Sequence, residues 1–180
     1  MKSQIVFLIT VLSLASASAS AFELKSNLKK NQPIPADYYG NQFGCTAKGV
    51  SPALEWTDVP PGTKSFAVTL YDKSAPTGSG FWHYVLFDIP ANVTKIEMGD
   101  LAAGKIPEGS VESMTDAGKP GYFGPCPPSP RKHTYVWTVH ALKVEKLGVP
   151  PTTSTPGFVG FNIWSNELGK ASFKVTAGPR

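Results

Sequence analysis

Two spacings of apolar residues, one of two and one of three to four, mark out most of the elements of this chain. In KSFAVTLYD (64–72), Phe66, Val68 and Leu70 alternate with Ala67, Thr69 and Tyr71, which predicts a strand ending on the carboxylate of Asp72. FWHYVLFDIP (81–90) is apolar on both faces, with Phe81, His83, Val85 and Phe87 on one and Trp82, Tyr84, Leu86 and Asp88 on the other. A strand of that kind lies centrally, covered on both sides. HTYVWTVHAL (133–142) puts His133, Tyr135, Trp137 and Val139 on one face and leaves His140 out of phase, with no role assigned to it. FELKS, from Phe22, and ASFKVTAG, near the C terminus, read as an opening and a closing strand. One segment changes period: Phe158, Phe161, Trp164 and Leu168 recur at helical spacing, after the start signal Thr155-Pro156 and before Gly169, and predict a single amphipathic helix.

Composition agrees with this pattern, since 17 glycines and 17 prolines among many β-branched and aromatic residues suit short strands and tight connections rather than a bundle. The class is mainly β. The N terminus departs from it, with Lys2, an apolar run from Ile5 to Leu14, and then ASASASA. A spanning helix needs roughly 20 apolar residues. This shorter run with small-x-small sites predicts a secretory signal peptide over residues 1–21, cut after Ala21 or Ala19, and a single domain over residues 22–180. The expected location is the periplasm or the medium, with at most peripheral membrane contact. The charge of +4 includes Lys2, so the domain carries about +3, and its basic residues are scattered apart from Lys29-Lys30 and Arg131-Lys132. No aromatic and basic motif points to nucleic acid. Cys45 and Cys126 are the only cysteines, and in an oxidising compartment they are expected to form one disulfide. That bond would tie the proline-rich loop GPCPPSPRK (124–132) to the Gly44-Cys45 segment.

Several polar residues need an explanation beyond the fold. Asp72 at a strand end could serve only to cap a turn. His83, flanked by aromatic residues in a doubly covered strand, needs a hydrogen-bond partner or a ligand. His133 and Tyr135 open a buried strand directly after the proline loop. There is no G-x-S-x-G elbow, and four prolines strip the loop of amide donors that an oxyanion hole would use, so a hydrolase is the least favoured reading. No H-x-x-x-H or H-E-x-x-H spacing supports a metal, and no cofactor is expected. A small anion suits these groups better, because imidazoles and a phenol donate to phosphate or carboxylate oxygens while a nearby aspartate accepts from an ammonium group or orients a histidine. The prolines then stiffen a rim in advance, so less entropy is lost on binding.

The motifs TLYDKSAPTGSGFWHYVLFDIPANV, GYFGPCPPSPRKHTYVWTVHAL and SPALEW resemble the phosphatidylethanolamine-binding protein family, which includes Raf kinase inhibitor protein, and in particular its bacterial exported branch. The resemblance runs from about Phe22 to Lys174. It implies a large antiparallel sheet packed on a smaller one, few short helices, and an anion pocket at one end. It also implies that Asp72, Pro76, His83, Pro127, Pro128, His133 and Tyr135 line that pocket, and only the resemblance brings His83 and Asp72 to the His133 strand. The ligand it implies is a phosphate or phosphoethanolamine type of anion, bound without catalysis. The alternative is inhibition of a protease or other protein target through the pocket mouth. Three departures bear on pocket polarity: Lys73-Ser74 in place of Pro-Asp, Phe81 in place of tryptophan, and Asn166 in place of histidine.

Overall fold

The structure, a computed structural model, describes residues 21–179. The expected leader therefore lies outside the described residues except for Ala21. In chain order the strands are β1 (Glu23–Ser26), β2 (Leu54–Thr57), β3 (Ser65–Asp72), β4 (Phe81–Pro90), β5 (Lys95–Ile96), β6 (Val111–Glu112), β7 (His133–Leu142) and β8 (Glu167–Ala177). The helix α1 (Pro156–Asn166) sits between the last two, and a short 3-10 turn covers Ala36–Tyr38. Two antiparallel sheets form, a small one ordered β1-β2-β5 and a large one ordered β6-β4-β3-β7-β8.

The alternation read along β3 and β7 explains how the sheets stack. Phe66, Val68 and Leu70 from β3 and Tyr135, Trp137 and Val139 from β7 turn inward, where they meet Leu24, Leu54 and Trp56 of the small sheet in one core. The Trp56 and Phe66 rings lie 5.3 Å apart, edge to face. Both are essentially sealed from solvent, so truncating either to alanine would cost roughly 3–5 kcal/mol. A second, smaller core lies on the opposite face of the large sheet, where Ala67, Val85, Phe87 and Leu142 are covered by Val159 and Ile163 of α1.

β4 spans the predicted residues, but its faces are not those of strict alternation. Leu70 pairs with Tyr84 and Tyr71 with Trp82, so His83 is an extra residue in the ladder. The resulting bulge turns the strand, as such insertions do. Phe81 and His83 point to a pocket with Tyr135, whereas Val85 and Phe87 join the helix-covered core. The expected common face of these four residues is thereby split.

The helix also differs from its prediction. Thr155 caps it by accepting a hydrogen bond from the Phe158 amide at 3.3 Å, with Pro156 at the first turn. It ends at Asn166, before Leu168 and Gly169, which belong to β8. The buried residues are Pro156, Val159 and Ile163, and the predicted stripe of Phe158, Phe161, Trp164 and Leu168 faces outward. Both sides of the helix are apolar, so spacing alone gave no preference for the correct side.

Candidate functional site

The sheet supplies one end of a cavity of about 240 Å³, where the last residue of β3 meets the first residues of β4 and β7. Asp72 pairs across the ladders with Phe81 on one side and Tyr135 on the other. The side chains of Asp72, His83, His133 and Tyr135 line the floor. Pro76 from the β3–β4 connection and Pro127 and Pro128 from the proline loop form the walls. All seven residues singled out from the sequence thus converge on one cavity. Phe43, Ala75, Thr77, Phe81 and Cys126 complete it.

Asp72 is buried and performs two tasks at once. Its Oδ1 accepts the Ser74 amide at 2.8 Å, which caps the turn after β3. Its Oδ2 meets His133 Nδ1 at 2.6 Å. Ser74 extends the tie, since its hydroxyl accepts the Thr134 amide at 3.1 Å. Ser74, from the departed motif, therefore fastens the end of β3 to β7 instead of adding a second carboxylate.

The two histidines are anchored in the same way. A carboxylate and a backbone carbonyl can only accept, so His133 donates from Nδ1 to Asp72, and His83 donates from Nδ1 to the Phe123 carbonyl at 3.0 Å. In each ring it is therefore Nδ1 that the protein holds. The Nε2 of His133 is buried and has no hydrogen-bond partner among the described residues. An orphaned buried nitrogen of this kind is costly unless something fills the site. When the ring is neutral this nitrogen accepts; after proton uptake it donates. Burial pushes the His83 imidazole below its ordinary value of 6.5, against the opposing pull of the Phe123 carbonyl and of Asp72 and Asp116. The Tyr135 phenol is raised far above its ordinary range, first by burial and then by the Asp72 carboxylate beside it, and stays protonated.

The rim is fixed from two sides. Cys45 and Cys126 form a disulfide with their Cα atoms 6.0 Å apart. Next to it the Gly40 amide donates to the Pro125 carbonyl at 2.9 Å. A Cβ on Gly124 would fall 2.8 Å from the Gly40 backbone, so these two segments can run side by side only with glycine at both positions. Phe43 stands at the mouth, 64% exposed, with a backbone φ of 55°, a left-handed conformation that bulky residues rarely adopt. Its ring meets Phe81 edge to face at 6.5 Å, and Phe81 packs on His83 at 4.9 Å. Sequence reasoning did not find Phe43; the only signal was its place two residues before Cys45. Asn166, expected to alter pocket polarity, lies at the end of α1 with its side-chain amide donating to the Asn162 carbonyl, and is not part of the lining.

A family model described as phosphatidylethanolamine-binding protein matches residues 24–178. UPF0098 protein YbcL of Escherichia coli K12 is 41% identical over 175 residues, which cover 95% of each chain. UPF0098 protein YbhB of the same organism is 40% identical over 151 residues, covering 83% of this chain and 94% of that one. The crystal structure of Escherichia coli YbcL, described there as a new member of the mammalian PEBP family, superimposes with a TM-score of 0.82 at 36% identity, over 89% of this chain and 100% of that one.

Proposed function

The chain belongs to the phosphatidylethanolamine-binding protein family, and from that premise we propose that it is an exported, non-catalytic binding protein for a small anion bearing phosphate, such as a phospholipid headgroup. One observation carries the reading: both pocket histidines are anchored through Nδ1, so both keep Nε2 for a ligand, and the Nε2 of His133 is buried without a partner among the described residues. Protonated, each ring gives an anion a charge-assisted hydrogen bond worth roughly 1.5–3 kcal/mol. Set against an association cost of about 4 kcal/mol or more, two such bonds leave a bare anion bound weakly, at roughly tens of millimolar or weaker. Binding is coupled to proton uptake, because an anion favours the charged form of His83, which burial otherwise disfavours. A disulfide that fixes the rim suits an oxidising compartment.

The competing reading, inhibition of a protein target through the pocket mouth, draws on the exposure of Phe43 at the rim. The two separate in one titration. Phosphate and phosphoethanolamine are added at about pH 6, near the imidazole range, while the ring resonances of His83 and His133 are followed, with single His→Gln variants for assignment. Joint, saturating shifts support anion binding. Rings that stay still remove the anion site and leave the mouth as a protein contact.

A further inference from the structure

The aromatic side chains on the outside of α1 have no part in the core or the pocket. Phe158, Phe161 and Trp164 are 52, 60 and 69% exposed, and Leu168 continues the stripe at 41%. The Phe161 and Trp164 rings lie 5.9 Å apart, so the surface is continuous. Covering the sheet needs only the inner face of the helix, Pro156, Val159 and Ile163. A contiguous exposed apolar patch is unfavourable in water and marks an interaction site. From Leu147 to Asn166 the sequence has no charged residue and no histidine. The flank of the patch is basic instead. Ala67 pairs with His140 and His140 with Lys170, so Lys170 projects from the face of the large sheet that α1 covers, and Lys174, four residues on, shares it. Lys143 joins them, its amide donating to the Asn166 carbonyl at the end of the helix. Among the acidic groups here, Glu167 is already held by His140 and Lys170.

We propose that the outer face of α1 docks on an anionic lipid bilayer, with Phe158, Phe161 and Trp164 at the boundary of headgroups and acyl chains and the flanking lysines on lipid phosphates. Two arguments select a bilayer over a second copy of the chain. An aromatic side chain offers about 150–250 Å² when fully covered. At the observed exposures, three of them with one leucine give roughly 300–450 Å², well short of the roughly 800 Å² per partner that a stable protein interface buries. The second argument is charge. A twofold pairing through this face would bring each basic flank towards its own copy, whereas an anionic surface neutralises it.

The test is co-sedimentation of the full-length protein with vesicles of phosphatidylcholine alone and of phosphatidylcholine mixed with phosphatidylglycerol. The apolar run Ile5–Leu14 is common to every variant, so differences between variants report on α1 and its flank. The wild type should favour the anionic vesicles. Phe161→Ser with Trp164→Ser should weaken that partition by roughly tenfold or more. Lys170→Glu with Lys174→Glu should weaken it severalfold on anionic vesicles only. The serine variant should still bind phosphate, so this surface and the pocket can fail separately. As a second readout, brominated lipid should quench wild-type tryptophan fluorescence much more than that of Trp164→Phe, which retains binding. The proposal is overturned if the wild type ignores anionic vesicles, or if the serine variant binds them equally well. It is also overturned if the wild type forms a dimer that the serine variant loses.

Discussion

β7 carries two histidines that make the same bond and serve different ends. His133 Nδ1 meets Asp72 at 2.6 Å, and His140 Nδ1 meets Glu167 at 2.6 Å. Seven positions apart, they fall on opposite faces of the strand. The outer one is satisfied all round, since its Nε2 lies 3.4 Å from the Thr69 hydroxyl, and Glu167 takes a further ion pair from Lys170. That cluster ties the beginning of β8 to the middle of the sheet. The inner one has its second nitrogen buried in a cavity, with no partner among the described residues. A histidine paired with a carboxylate is therefore no sign of a binding site by itself. The second nitrogen decides, by what it has left to do.

The strongest way to separate the two ends is to unfasten one of them. Replacing Cys45 and Cys126 by serine should cost about 2–4 kcal/mol in urea unfolding. It should disturb the ring resonances of His133 and leave those of His140 in place. Next in size, His133→Gln should lower phosphate affinity roughly ten- to a hundredfold by removing one charge-assisted hydrogen bond, as read by titration calorimetry or NMR. His140→Gln, in contrast, should leave that affinity within about twofold and instead cost about 1 kcal/mol of stability. The gap between wild type and His140→Gln should close in acid. His140 holds the Glu167 carboxyl below its ordinary value of 4.5, so the stability it contributes is present above that value and lost as pH falls through the lower folded one. The smallest effect is on the inner ring's neighbour. Because burial lowers His83, its charging lies below 6.5, so phosphate affinity should climb as pH falls below that value, with a shallower climb in His83→Gln.

The parts that could be read from sequence are those with enough length to show a period. β3, β4 and β7, of eight to ten residues, begin and end within a residue of where alternation put them. β2, β5 and β6 have four residues or fewer, too few for an alternation to stand out along the sequence. The bulge at His83 was invisible for another reason, since an extra residue shows only against its partner strand, and the partner is set by tertiary pairing. Within the site, spacing gathered His133 with Tyr135, and motif resemblance added Asp72, Pro76, His83, Pro127 and Pro128. Phe43 stayed hidden because it reaches the mouth through a disulfide and a backbone turn that no local pattern announces. Asn166 misled in the opposite direction, as a motif position whose side chain points back along its own helix.

The separation of 81 residues between Cys45 and Cys126 sets a timetable for the pocket. At a synthesis rate of about 5–20 residues per second, Cys45 is made several seconds before its partner exists. During that interval it is a free thiol with no wrong partner in its own chain, because the sequence has only these two cysteines. Any early capture must come from another molecule. The rim of the pocket thus cannot be tied down until Cys126 has been made, and a stalled or shortened chain ending before Cys126 would carry a single unpaired thiol in place of the disulfide.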